Sequence, residues 1–104
     1  MNYPLIFKKI RYEEYLILKE IVESESTATT IIEKEFKKRK IEISRSTIRR
    51  KVYKLENYGL IYCISKSNPL IVGIDYKKKE ILNMFVTQLK AKFGVTMNII
   101  QSEA

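Results

Sequence analysis

Between Ser44 and Gly59 the apolar residues Ile48, Val52 and Leu55 recur at i, i+4 and i+7, and the pattern then changes character from Leu60 to Ile64. This stretch is the tightest constraint the chain carries. The spacing lines three side chains along one face of a helix, predicted over Arg45 to Tyr58. Ser44 supplies an N-cap hydroxyl, and Gly59 falls where a left-handed C-cap is wanted. Leu60 to Ile64 is rich in β-branched and aromatic residues and reads as a strand. Lys66-Ser67-Asn68-Pro69 is a turn, and Leu70 to Ile74 is the returning strand, so a hairpin follows the helix.

The same periodicity predicts three more helices. Tyr15, Leu18 and Val22, widened by Leu16, Ile17 and Ile21, stripe a helix from Tyr12 to Ser24. A second runs from Ala28 to Arg39, with Ile31, Ile32 and Phe36 inward and Glu33, Lys34, Lys37 and Lys38 largely outward. Polar Ser24 to Thr27 separates the two and offers caps. Lys40 to Ile43 is an extended connector whose two isoleucines point the same way. A C-terminal helix from Tyr76 to Phe93 is capped by Asp75 and closed by Gly94. The expected units are a strand or ordered arm over 1–11, a main domain over 12–75, the C-terminal helix over 76–94 and a flexible tail over 95–104. The fold class is α+β, mostly helical.

Composition narrows the chemistry. A chain of 104 residues holds one core. It has no histidine and one cysteine, Cys63. That removes the commonest general base, the Ser-His and Cys-His nucleophile pairs, and any multi-cysteine zinc site. Cys63 sits among apolar neighbours and reads as a structural thiol. Acidic pairs such as Glu13-Glu14 sit on exposed helix ends. The chain is therefore expected not to be an enzyme and to use no metal and no cofactor. No apolar run reaches the roughly 18–20 residues of a membrane span. A cytoplasmic location is expected, on the nucleoid when bound. The net charge of +8 points to a polyanionic partner.

Ile43-Ser44-Arg45-Ser46-Thr47-Ile48-Arg49-Arg50-Lys51-Val52-Tyr53-Lys54-Leu55-Glu56-Asn57-Tyr58-Gly59-Leu60-Ile61 resembles the recognition helix and first wing strand of bacterial and archaeal winged helix-turn-helix regulators. That resemblance implies three helices, a two-stranded wing and an additional C-terminal helix, with double-stranded DNA as partner. One departure is the connector after Phe36, which has no glycine where the common pattern turns tightly on one.

The residues themselves agree. With Ile48, Val52 and Leu55 inward, Ser46, Arg50, Tyr53 and Asn57 share the opposite face, flanked by Arg49 and Lys54. Arginine and asparagine there suit guanine and adenine edges in the major groove. Arg45 sits near the helix start, and Thr47 and Lys51 are placed for phosphate. Glu56 is the only acid between Arg45 and Tyr58. Lys66 and Ser67 at the wing tip suit a backbone or minor-groove contact. The basic runs Lys8-Lys9, Lys77-Lys78-Lys79 and Lys34 to Arg39 read equally as solvated charge. A winged-helix protein adaptor and a nonspecific nucleic-acid-binding protein are the other readings that fit. Finally, Ile81, Phe85 and Leu89 suffice as the inward stripe of the last helix. Leu82, Val86 and Phe93 are then expected on an adjoining strip that pairs two copies into a homodimer. The alternative is that the first helix and the N-terminal arm cover that strip within one chain.

Overall fold

The computed structural model describes the backbone of residues 2–103 and the side chains of residues 2–94. The chain forms a small, mostly helical α+β fold with one three-stranded antiparallel sheet. Its order is α1 (Tyr3–Lys9), α2 (Tyr12–Ser24), β1 (Ser26–Ala28), α3 (Thr29–Lys38), α4 (Arg45–Asn57), β2 (Tyr62–Ser65), β3 (Ile71–Gly73) and α5 (Lys79–Glu103).

The expected N-terminal arm or strand is instead the helix α1. Asn2 caps it by accepting from the Leu5 N–H at 3.2 Å, and Pro4 lies in the first turn, where it costs no hydrogen bond. Ile6 and Ile10 are buried, one turn apart. Seven residues give too short a pattern for periodicity to declare.

α2 begins and ends where its stripe predicts, with Ile17, Leu18, Ile21 and Val22 in the core. The polar segment after it is not merely a break. Ser26, Thr27 and Ala28 form β1, paired with Gly73, Val72 and Ile71. Nothing in Ser-Thr-Ala signals a strand; the neighbouring edge of β3 imposes it. Gly73 allows the close approach, because a Cβ there would lie 3.2 Å from the Glu25 carbonyl oxygen and 3.0 Å from Ile64.

On α3, Ile32 and Phe36 are buried as expected, but Ile31 is 51% exposed. Ile31 lies about 140° around the helix from Phe36, outside the narrow stripe that Ile32 and Phe36 define. The glycine-free turn is solved by Lys40, which takes φ 59°. The Ile41 N–H then reaches back to the Phe36 carbonyl at 2.9 Å, as in a glycine-capped helix end. Ile41 and Ile43 both pack against the core.

α4 starts at the Ser44 cap and closes at Gly59, which adopts φ 80°. The Leu60 N–H bonds the Leu55 carbonyl at 3.2 Å, so Leu60 completes the helix cap and the strand begins two residues later. β2 and β3 form the hairpin, and the sheet order is β1-β3-β2. Cys63 pairs with Val72 and Ser65 with Ile71, so Ile64 is an extra residue that bulges β2.

Asp75 caps a short 3-10 turn over Tyr76–Lys78, and α5 follows. Its inward stripe is Leu82, Phe85 and Leu89, whereas Ile81 is 44% exposed. This corrects the expected association strip. Leu82 is fully buried in the chain's own core, and Val86 and Phe93 pack against that core. Phe93 lies 5.5 Å from both Tyr12 and Tyr15 of α2, and Phe85 meets Tyr3 and Phe7 of α1. α1 and α2 thus cover the strip within one chain.

The helix also runs through Gly94 rather than closing there, so 95–103 is helical and not a separate tail. One helical glycine costs only about 1 kcal/mol relative to alanine, which helix-forming neighbours can carry. The side chains of Val95, Met97 and Ile99 fall outside the described ones. A Cβ at Gly94 meets nothing within 4 Å. Gly94→Ala is expected to raise stability by about 0.5–1 kcal/mol in urea unfolding. A loss of that size would mean that the residue caps the helix in a left-handed conformation.

Candidate nucleic-acid interface

α4 is the helix the sequence nominates, and two carboxylates hold its flanks. On one flank is Glu14 of α2, fully buried. Its Oε1 accepts from the Arg11 N–H at 3.0 Å, and its Oε2 accepts from Lys51 Nζ at 2.9 Å and Lys54 Nζ at 3.1 Å. Burial alone pushes this carboxyl up. The Arg11 N–H and the two ammonium groups outweigh it and hold Glu14 below the usual carboxylate range. Lys51 is itself largely enclosed, with 12% of its side chain exposed.

On the other flank is Glu56. It accepts from the Cys63 N–H at 2.8 Å and pairs with Lys66 Nζ at 3.5 Å, tying the end of α4 to β2 and the wing tip. Those contacts, the Cys63 N–H first, hold Glu56 below its usual value. Burial, with the Glu56 carboxylate beside it, pushes the Cys63 thiol up to about 11. Cys63 is therefore a thiol and not a thiolate at neutral pH, which disfavours redox or nucleophilic chemistry.

The start of α4 is fixed to α3. Arg45 Nε donates to Glu33 at 2.9 Å, and Lys37 joins the same carboxylate at 3.2 Å. Ser44 Oγ accepts from the Thr47 N–H at 3.2 Å and donates to Thr47 Oγ1 at 2.8 Å.

These contacts sort the expected binding residues into two groups. Lys51 and Lys54 turn inward to Glu14, Arg45 binds Glu33, and Thr47 is spent in the N-cap. The solvent-facing reading of Lys51 is thereby corrected: Glu14 captures it. Ser46, Arg50 and Asn57 are exposed, Arg49 is half-buried on the wing side, and Tyr53 is half-buried against the core. Among the described residues, Arg49 and Arg50 form no ion pair. Lys66 stays 64% exposed although it touches Glu56, and Ser67 is exposed with its hydroxyl on Ser65. On α3, Lys37, Lys38 and Arg39 all have acidic partners, with Arg39 reaching the buried Glu20 at 2.6 Å. Lys79 is likewise bonded to Glu25.

The sequence left one assembly unseen. An open cleft of about 640 Å³ joins Lys8, Lys9 and Arg11 to Lys54 and Tyr58 of α4, with Tyr12 and Phe93 in its wall. The basic run near residue 9 was visible, but its convergence with residues of α4 and α5 is a tertiary fact. Among the described residues, no helix is long and apolar enough to cross a membrane. No protein-family model, curated protein or solved structure matches the chain.

Glu14→Gln is expected to destabilise the fold by roughly 2–3 kcal/mol at pH 7, because it leaves enclosed Lys51 without its counter-charge. Glu14 titrates below its unfolded value of about 4.3, so its contribution is complete above that pH and fades as the pH falls through the lower folded value. The gap between parent and variant should therefore narrow from pH 5 to pH 3 in parallel chemical melts. A gap that is constant with pH would mean the carboxylate charge contributes nothing.

Proposed function

We propose that the chain is a winged helix-turn-helix protein that binds double-stranded DNA through the outward face of α4 and regulates transcription, with no enzymatic activity, from within the cell. The observation that carries the reading is the division of charge on α4. The three acids that contact the helix or belong to it are each engaged on its flanks or at its start: Glu14 by Lys51 and Lys54, Glu56 by Cys63 and Lys66, and Glu33 by Arg45. The outward face is left with Ser46, Arg50 and Asn57, with Tyr53 half-buried beside them, and among the described residues no carboxylate pairs with Arg50.

The architecture supports it. Helix, strand, helix, helix and hairpin follow one another, with β1 closing the sheet in the order β1-β3-β2. That arrangement lays α3 across the start of α4 and hangs the β2-β3 turn beside its far end. A helix entering a major groove would carry the wing toward the neighbouring backbone. Arg50 and Asn57 are the base-reading candidates; Arg49 and Lys66 are phosphate candidates.

Arg50→Ala is expected to lose about 1–3 kcal/mol of affinity for a selected duplex site and to relax preference at one base position. Binding of the parent should weaken steeply between 50 and 200 mM salt. Equal affinity of parent and variant for the selected site, in fluorescence anisotropy, would remove α4 as the reader. Absence of any salt-dependent duplex binding would favour a protein adaptor. Loss of preference over bulk duplex would leave a nonspecific binder.

The reading includes a homodimer, with its pairing face moved to the side of α5 that faces water. Ile81 and Met84 are 44% and 59% exposed and share a shallow groove with Tyr3 and Phe85. A strip of this kind commonly marks an association surface. Sedimentation equilibrium at micromolar concentration is expected to give a dimer that Met84→Glu converts to monomer. A parent that sediments as a monomer would overturn the pairing.

A further inference from the structure

The cleft beside Lys54 has a composition that neither the fold nor the α4 face requires. Lys8 and Lys9 end α1, Arg11 opens α2, and Lys54 comes from the last turn of α4. All four line one open space of about 640 Å³, and no acid is among its lining residues. Lys8, Lys9 and Arg11 are exposed, and among the described residues none of their side chains forms an ion pair. Three converging cations without a counter-charge repel one another, so an anion placed among them is stabilised.

The rest of the wall is aromatic. Tyr12 and Phe93 meet edge to face at 5.5 Å, Tyr58 completes the lining, and Tyr12 is 43% exposed. Such rings offer a stacking surface to a planar group. The space falls within the range of about 300–1,000 Å³ usual for small-molecule sites. Cations and rings lining one cleft match a ligand that carries both a planar group and a multiply charged group.

We propose that this cleft binds a nucleoside polyphosphate, with the phosphates among Lys8, Lys9, Arg11 and Lys54 and the base against Tyr12 and its neighbouring rings. Lys54 gives the site a connection to α4. Its ammonium already serves Glu14 at 3.1 Å, and the side chain remains 42% exposed. A bound phosphate competes with Glu14 for that ammonium and so acts on the flank contact that orients α4. The proposal does not depend on the duplex reading.

The test is calorimetric titration of the full chain with ATP at 50 mM salt, with inorganic tripolyphosphate as the ring-free probe. Saturable 1:1 binding of ATP is expected, at least fivefold tighter than tripolyphosphate. Lys9→Ala combined with Arg11→Ala should weaken ATP at least tenfold, and Lys9→Ala alone, a change at an exposed site, should weaken it measurably with an unchanged melting temperature. Tyr12→Leu should weaken ATP and leave tripolyphosphate alone. Arg50→Ala should leave ATP binding intact, so that failure of duplex recognition and failure of this site are separable. No saturable ATP binding, equal binding of tripolyphosphate, or ATP binding indifferent to Lys9 and Arg11 would each overturn the site. An effect of Lys9 and Arg11 on duplex affinity alone would also overturn it and make the cleft a backbone contact.

Discussion

A carboxylate with no access to water fixes the geometry of this protein. Glu14 sits between α2 and α4, and it is tolerable there only because three donors reach it at once. Two of those donors are lysines one turn apart on α4, so the contact sets both the rotation of that helix and its position along α2. Which face of α4 meets solvent follows from this. With Lys51 and Lys54 turned to Glu14 and Ile48, Val52 and Leu55 in the core, the outward face can only be the one bearing Ser46, Arg50 and Asn57. Glu56 repeats the device on the other flank, more exposed and aimed at the hairpin, so the wing is referenced to the same helix.

Much of this scaffold was legible in the sequence because it rests on local signals. The stripe of α2, the Ser44 cap, the Gly59 stop and the Pro69 turn each act within a few residues. β1 was not legible, since Ser26, Thr27 and Ala28 acquire their extended form from the edge of β3. The helix α1 is too short to show a period, and the left-handed turn at Lys40 lacks the glycine that would announce it. On α5 the difficulty was of another kind. Ile81 and Leu82 are both apolar neighbours, and periodicity alone cannot say which of two adjacent residues faces the core. The packing of α1 and α2 against the helix decides it.

The candidate site divides along the same line. The outward residues of α4 could be named from the inward ones by geometry. The pairing of Lys51 and Lys54 was not legible because their partner, Glu14, lies about forty positions away and looks like an ordinary acid at a helix start. Glu56 seemed an electrostatic misfit on a basic helix and is instead a bracket for β2. The basic cleft needed three separate segments to converge. In each case charge could be counted from the sequence, but the pairing of charges could not.

The sorting of α4 into gripped and ungripped residues has a consequence for how such a protein can change. Positions 46, 50 and 57 make no contact on which the core relies, while 48, 51, 52 and 55 are committed to it. Variation at the first set explores new surfaces on an unchanged frame, and variation at the second dismantles the frame before any new surface can be tried. The helix is thus divided into an alphabet that can be rewritten and a spine that cannot. Diversity among descendants of this chain, natural or selected in the laboratory, should collect on one side of a single helix.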